Sequence, residues 1–190
     1  MRQPDENKRN KIGDAAIKLM VTIGFADTSM HRIAKEAKVA ASTIYLYFEN
    51  KEDMLNKLYL TVKQRFGDAV LRNFDVNMPM HEGLRVVFNN ICDFFKESPE
   101  QFLFMEQFAS SPLVNRVSRE TATGYYRPVI DFIEKGKREK VLKNVPVELM
   151  GAYFFNPIAS AMRNRRAHNK KMSKKEREAM FVMAWDAVKL

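Results

Sequence analysis

The feature that most constrains this chain is a pair of short helical segments, separated by a tight turn, within residues 28–53. Thr28 or Ser29 can cap the first segment, because a hydroxyl there accepts a hydrogen bond from a free amide of the first turn. Ile33 and Ala34 begin an apolar stripe that is only two turns long. A helix this short is unstable by itself, so it must pack against the rest of the chain.

The second short helix follows the turn and extends through Tyr47, with Ser42 or Thr43 helping to begin it. Ile44 and Phe48 have the spacing of an inward apolar face. The outward face carries small, hydroxyl, aromatic and aliphatic groups, at Ala41, Ser42, Tyr45 and Leu46. No layer of charge covers that face.

The size and chemistry of these segments are typical of a helix-turn-helix, which lays one helix in a DNA groove. The outward face of the second helix can approach a base edge closely. Asn50 caps the next helix, and Lys51 lies at its start, where free amides and the helix dipole favour an anion such as a phosphate. The alternative is a helical protein that never contacts DNA, since many such proteins contain two short helices and a turn.

The residues of this region resemble the TetR family of bacterial transcriptional regulators. The resemblance rests on Gly24-Phe25, on Thr28-Ser29 with Ile33-Ala34, on Thr43-Ile44-Tyr45-Leu46-Tyr47-Phe48, and on Lys51-Glu52-Asp53. It extends without a gap from about Lys8 to about Tyr59. It implies a DNA-binding domain over residues 5–52, with the helix-turn-helix at about 28–48, and a ligand-binding and dimerisation domain over residues 53–190.

The resemblance also implies which residues contact DNA. The candidates for phosphate contacts are hydroxyls, phenols and one amine, at Thr28, Ser29, Thr43, Tyr45, Tyr47 and Lys51. The candidates for reading bases are His31, Ala41, Ser42 and Leu46. The alternatives are that Tyr45 and Tyr47 are packing aromatics and that His31 is an exposed helix residue. Lys38 departs from the family pattern, in which glycine often occupies this turn.

Beyond this region every extended segment has helical spacing and no segment has a convincing strand period of two, so we predict an all-α fold of about nine helices. The predicted helices outside the two short segments are residues 5–23, 51–74, 80–97, 99–110, 119–139, 146–166 and 173–189. By the resemblance, a three-helix head joins a larger helical body, whose last two helices pair in a homodimer.

One apolar face of each of these last two helices is compatible with that interface, at Met150, Phe154, Ile158, Met162, Phe181, Trp185 and Val188. The alternative is that these faces only close the core of the monomer. By the resemblance, the body also binds a small effector, and its aromatic segments suit a hydrophobic or cationic compound. The candidate pocket residues are Phe88, Phe95, Phe102, Met105, Phe108, Tyr125, Tyr126 and Phe154. Most aromatic residues of the body must nevertheless be core.

The net charge of +9 is distributed unevenly along the chain. Residues 1–53 contain nine lysines and arginines and eight acidic residues, whereas residues 160–190 contain nine and three. The DNA hypothesis therefore rests on the motif and not on composition. We interpret the basic C-terminal segment as a solvated loop and helix end, with a nonspecific polyanion contact as the alternative.

Composition and motifs argue against several other classes of protein. No apolar run is long enough to span a membrane, and the first residues lack the apolar core of a signal peptide, so a cytoplasmic location is expected. The single cysteine, Cys92, excludes an internal disulfide. His31, His81 and His168 lack metal-ligand spacing and the chain has no glycine-rich phosphate loop, so we predict no enzymatic activity, metal or cofactor.

The sequence therefore predicts a homodimeric, sequence-specific DNA-binding repressor that binds a palindromic operator and responds to a small-molecule effector. The alternative is a helical ligand-binding or interaction protein that keeps this fold and has lost operator binding. The sequence identifies neither the effector nor the operator.

Overall fold

The structure, a computed structural model, describes residues 5–114 and 116–190. This part of the chain folds into ten helices and contains no strand, which confirms the all-α prediction. The helices are α1 Glu6–Asp27, α2 Met30–Ala37, α3 Ala41–Ile44, α4 Lys51–Val70, α5 Met80–Glu97, α6 Pro99–Ala109, α7 Arg116–Gly124, α8 Arg127–Arg138, α9 Val147–Ala167 and α10 Lys174–Val188. In the described residues, no helix is both long and apolar enough to cross a membrane.

The tenth helix arises because the segment predicted as one helix over residues 119–139 is two, α7 and α8. The chain leaves helical geometry at Tyr126, whose φ is −122° and ψ is 25°. Pro128 explains the break, since a proline has no amide to continue a helix from α7 but is well tolerated in the first turn of a new one.

The chain forms two compact units, and the division falls within α4. We call the head unit the residues up to Arg65 together with Ser98–Thr123, and the body unit Phe66–Glu97 together with Gly124–Leu190. The head unit therefore includes α6 and most of α7 in addition to the first helices. The domain boundary after residue 52 stays a prediction.

Each of the first four helices contributes at least one apolar side chain to the core of the head unit, and the turn after α3 contributes another. Ile12, Ile33, Ile44, Phe48 and Met54 are all fully buried. Burial of each such side chain contributes about 1.5–3 kcal/mol, so these contacts stabilise helices that are too short to persist alone.

Helix α6 packs on α1 within the head unit. The Phe25 ring lies 6.1 Å from Phe104 and 5.7 Å from Phe108, measured between centroids. Tyr59 of α4 meets Phe108 edge-on at 5.5 Å. These aromatic contacts fix α6 against α1 and α4, the helices on either side of the short pair.

In the body unit, α5 packs against α8, α9 and α10. Phe88 of α5 is the centre of an aromatic cluster, with its ring centroid 6.3 Å from Phe154 of α9 and 5.5 Å from Phe181 of α10. Both neighbours meet it at steep interplanar angles, the edge-to-face geometry that aromatic quadrupoles favour.

Two arginines link α5 to α10 by polar contacts at the margin of this cluster. Arg177 donates to the Asp93 carboxylate at 2.8 Å and also to the carbonyl of Asn89. Arg85 donates to the Glu178 carboxylate at 2.5 Å and lies over the Phe181 ring. The N-terminal half of α10 is therefore held to α5 by charge as well as by packing.

Helix α4 lies very close to the chain between α7 and α8. An added Cβ at Gly67 would lie 2.7 Å from the carbonyl oxygen of Tyr125 and 2.8 Å from its Cβ. Neither atom can rotate away as the end of a long side chain can. Glycine at this position is thus required by close approach within the body unit.

We expect Gly67→Ala to lower the free energy of unfolding by about 1 kcal/mol. Overpacking costs about 1–3 kcal/mol, and the higher helix propensity of alanine offsets about 1 kcal/mol of it. Urea titration followed by circular dichroism measures the difference. Asp68→Ala is the matched control, because Asp68 is the next residue of the same helix and is exposed. A Gly67→Ala variant as stable as Asp68→Ala would contradict the close approach.

Candidate DNA-binding interface

Gly24 interrupts α1 one turn before its end. Its φ of 86° is a conformation that glycine adopts without strain, and the helix resumes as far as Asp27. The Thr28 hydroxyl donates to the Gly24 carbonyl at 2.7 Å, and the Thr28 side chain is only 1% exposed. The Thr28 hydroxyl is therefore buried and already bonded within the head unit, which does not favour the predicted phosphate contact; that contact stays a prediction.

Ser29 caps α2, because its side chain accepts from the Arg32 amide at 3.3 Å. This confirms the second of the two residues predicted to cap this helix. Ser29 and His31 are both exposed near the start of α2. Their contacts with DNA stay predictions.

The turn between α2 and α3 depends on a left-handed residue. Lys38 has φ 55° and ψ 45°, and its amide donates to the carbonyls of Ala34 and Lys35. The amide of Val39 also donates to the Ala34 carbonyl at 3.0 Å. These bonds satisfy the last carbonyls of α2 in the manner of a left-handed helix cap. Lysine thus occupies a conformation that suits glycine better.

Helix α3 is a single turn, Ala41–Ile44, and it is shorter than predicted. Ala40 occupies the cap position and makes no side-chain hydrogen bond, so neither Ser42 nor Thr43 caps this helix. The chain continues in turns through Tyr47, where the amides still bond to carbonyls three residues back. The sequence did identify the inward side correctly, because Ile44 and Phe48 are buried.

The outward side of this turn presents apolar and hydroxyl groups to solvent. Tyr45 is 57% exposed and Leu46 is 74% exposed, which is unusual for side chains of this size. Ala41 and Ser42 are exposed beside them, and Thr43 is half-buried. We call Ala41, Ser42, Tyr45 and Leu46 the outward face of α3.

Two other predicted phosphate contacts bond to the backbone around α1. The Tyr47 hydroxyl donates to the carbonyl of Asp5 at 3.2 Å. The Lys51 ammonium donates to the carbonyl of Phe25, next to the break at Gly24. Tyr47 thus holds the turn after α3 to the residue that precedes α1, and Lys51 holds the start of α4 to α1. Their direct contact with DNA stays a prediction.

The N-terminus of α4 is closed by two side chains. The Asp53 amide donates to the Asn50 side-chain oxygen at 2.9 Å, and the Glu49 amide donates to the Asp53 carboxylate at 3.0 Å. Lys57 also pairs with Asp53 at 2.8 Å. The predicted cap at Asn50 is therefore present, and it leaves fewer free amides at this terminus for a phosphate.

The predicted dimer residues lie mostly inside the body unit. Five of them are buried there, namely Met150, Phe154, Ile158, Phe181 and Val188, whereas Met162 and Trp185 are half-buried. The alternative interpretation, that these faces close the core of the monomer, describes the five buried residues. The same two helices expose other large apolar side chains, at Leu149, Tyr153, Val182 and Met183.

The predicted effector-pocket residues divide between the two units. Phe102, Met105 and Phe108 are buried in the head unit, and Phe88, Phe95 and Phe154 are buried in the body unit, where Tyr125 and Tyr126 are half-buried. The head unit has a cavity of about 200 Å³ between α1 and α4. Charged side chains, among them Arg9, Asp14 and Arg65, form part of its wall.

A half-buried lysine beside Tyr59 was missed at the sequence level. The Lys63 ammonium lies 5.7 Å from the centroid of the Tyr59 ring. Burial lowers the pKa of Lys63 to about 8, so it keeps most of its charge at neutral pH. The helical spacing of α4 places Lys63 one turn after Tyr59, which was a usable but weak signal.

Neither the cysteine nor the acidic and histidine side chains of the described residues form a reactive or metal-binding site. Cys92 is buried in α5, and burial raises the pKa of its thiol to about 11, which keeps it protonated. Within the described residues, no group of three His, Cys, Asp or Glu side chains is arranged to hold a metal ion.

Comparison with known proteins agrees with this geometry. Residues 12–58 match bacterial regulatory proteins of the tetR family, and residues 79–189 match a tetracyclin repressor-like C-terminal domain. The chain therefore belongs to the TetR family of helix-turn-helix transcriptional regulators.

Individual relatives support the same assignment. A helix-turn-helix-type transcriptional regulator of Haemophilus influenzae is 37% identical over 112 residues, which cover 59% of this chain and 60% of that protein. The fatty acid metabolism regulator protein of Bacillus subtilis is 42% identical over 65 residues, 34% of this chain and 32% of that one. The crystal structure of a TetR family transcription regulator from Marinobacter aquaeolei covers 100% of this chain and 99% of its own, with 29% identity and a TM-score of 0.91.

We expect Lys38→Gly to raise the free energy of unfolding by roughly 0.5–1 kcal/mol. Glycine relieves the left-handed strain, and this gain exceeds the extra entropy that it gives the unfolded chain. Thermal unfolding by circular dichroism measures the change. Lys38→Ala is the control, because it removes the same charge and keeps the strain. Equal stabilisation by both variants would show that charge, and not backbone conformation, is the cause.

Proposed function

We propose that this protein is a sequence-specific transcriptional repressor that acts in the cytoplasm as a homodimer, with operator binding modulated by a small effector. The observation that carries the proposal is the outward face of α3. Its exposed tyrosine and leucine are unfavourable in water, and a TetR-family head offers a reason for them, since contact with base edges removes both from solvent.

The segment that carries the helix-turn-helix has little net charge with which to attract DNA. Residues 1–53 contain nine basic and eight acidic residues, so long-range attraction from this segment is weak. We propose that Ser29, Thr43 and the Tyr45 phenol donate to phosphates and that Leu46 and Ala41 pack against thymine methyl groups. Tyr47 and Lys51 then act mainly by holding α3 and α4 in position.

We propose that the dimer forms through the exposed sides of α9 and α10. These helices pack against each other in the body unit, and they expose Tyr153 (52%) and Met183 (72%) together with Leu149 and Val182. Such side chains scattered over two adjacent helices fit a surface that a second copy covers. Two copies would present two heads to a palindromic operator.

We further propose a hydrophobic effector that contacts the half-buried Tyr125 and Tyr126 of the body unit. An effector with a large apolar part, neutral or cationic, suits these aromatic residues.

A gel-shift titration with DNA fragments from the gene's own locus tests the proposal as a whole. We expect retardation of one fragment at far lower protein concentration than random DNA of equal length, by a factor of about 10³ or more. Equal retardation of all fragments would favour the alternative, a helical binding protein that has lost operator recognition.

Within that assay, we expect Tyr45→Ala and Leu46→Ala each to weaken binding to the retarded fragment by about tenfold, which corresponds to about 1.4 kcal/mol. Both side chains are exposed, so thermal stability should change little. Val76→Ala is the control, since it shortens an exposed apolar side chain in the body unit. Unchanged affinity in both head variants would refute the assignment of this face.

For the dimer, we expect Met183→Glu to weaken self-association by about 100-fold or more, because it places an unpaired carboxylate in an apolar interface. Sedimentation velocity across a dilution series measures this. Val76→Glu, which adds the same charge at another exposed site of the body unit, should leave the dimer intact. A dimer unaffected by Met183→Glu would place the interface elsewhere.

A further inference from the structure

A dense basic surface lies where α9 ends and α10 begins. Its segment, residues 163–177, contains eight lysines and arginines and one acidic residue, Glu176. We call it the basic turn. Within it, Lys170, Lys171, Lys174 and Lys175 are all exposed.

The acidic groups around the basic turn are already engaged. Glu176 closes the capping box of α10 with Ser173 and accepts from Arg165 at 2.5 Å. Asp93, from the packed helix α5, pairs with Arg177, and Glu178 pairs with Arg85. Local pairing therefore uses two arginines of the basic turn and leaves its lysines facing solvent.

Two of these lysines occupy positions that oppose helix formation. Lys174 and Lys175 are the first two residues of α10, where the helix dipole disfavours positive charge. The capping box at Ser173 offsets this penalty. An external polyanion would remove it, because the lysines and the dipole would then both attract the same charge.

The composition of the basic turn distinguishes among polyanions. It contains no phenylalanine, tyrosine or tryptophan, and its one aromatic ring, the His168 imidazole, is a small platform for stacking single-stranded bases. Met172, its most apolar side chain, is half-buried, so it also lacks the exposed apolar residues with which surface helices enter a lipid bilayer. A duplex phosphate backbone is the remaining match, because it requires positive charge alone.

We propose that the basic turn is a second, sequence-independent binding surface for the phosphate backbone of duplex DNA. It belongs to the body unit, separate from the outward face of α3. It would supply the electrostatic attraction that the nearly balanced charge of residues 1–53 does not. The proposal does not depend on operator recognition.

The test is anisotropy with a random-sequence 40-base-pair duplex, over a range of salt concentrations. The protein carries Leu46→Glu throughout, which places a carboxylate on the outward face of α3 and suppresses binding by the head. Neutralising Lys170, Lys171, Lys174 and Lys175 to glutamine should weaken the residual binding at least tenfold near ~0.1 M salt. It should also reduce the slope of log K against log salt by about 3–4, since each phosphate contact contributes about 0.9.

The matched control changes Arg72, Lys135, Arg138 and Lys140 to glutamine. These residues lie elsewhere in the body unit, and their substitution removes the same amount of positive charge. We expect it to retain most of the binding and of the salt slope. Equal losses in both quadruple variants would overturn the proposal in favour of a general net-charge effect. Binding of the Leu46→Glu protein to phosphatidylserine vesicles but not to the duplex would overturn it in favour of a lipid partner. The anisotropy result can be interpreted even if the gel-shift assay finds no operator, because it uses random-sequence DNA and a protein whose α3 face is disabled.

Discussion

The short helices depend on how the chain leaves α1. Gly24 breaks the helix, and such a break leaves carbonyl oxygens without amide partners. Thr28 donates to the carbonyl of Gly24 and Lys51 donates to that of Phe25. Each bond satisfies a carbonyl that would be unfavourable if left unpaired, and together they tie the starts of α2 and α4 to one point on α1. The orientation of α3 follows, because it lies between them.

Local signals predicted the head well. The spacing of Ile33, Ile44 and Phe48 identified the inward sides, and Ser29 and Asn50 were recognisable as caps, because each signal involves residues within one or two turns. The role of Thr28 could not be predicted in this way. A hydroxyl beside a cap can point to solvent or back into the preceding helix, and only the break at Gly24 determines which.

In the body unit, helical periodicity does not predict which apolar face of a helix is buried. Helix α9 carries Met150, Phe154 and Ile158 on one side and Leu149 and Tyr153 on another, so two apolar stripes run along it. Periodicity finds both and cannot say which faces the monomer core. The answer comes from α5, whose Phe88 accepts Phe154 and Phe181 as neighbours. The stripe that reaches Phe88 is therefore the buried one, and the other stripe is exposed on this chain.

The distribution of charge separates two tasks that many DNA-binding surfaces combine. Affinity for a duplex comes largely from cations near phosphates and falls with salt, whereas discrimination comes from close contact with base edges. A surface crowded with lysine attracts every sequence equally, and its long side chains keep bases at a distance. In this chain Tyr45 and Leu46 stand exposed in a segment of nearly balanced charge, while the excess of basic over acidic residues is concentrated where α9 ends and α10 begins. A head of this kind gains little from nonspecific DNA, so its selectivity should depend less on salt than its total affinity does.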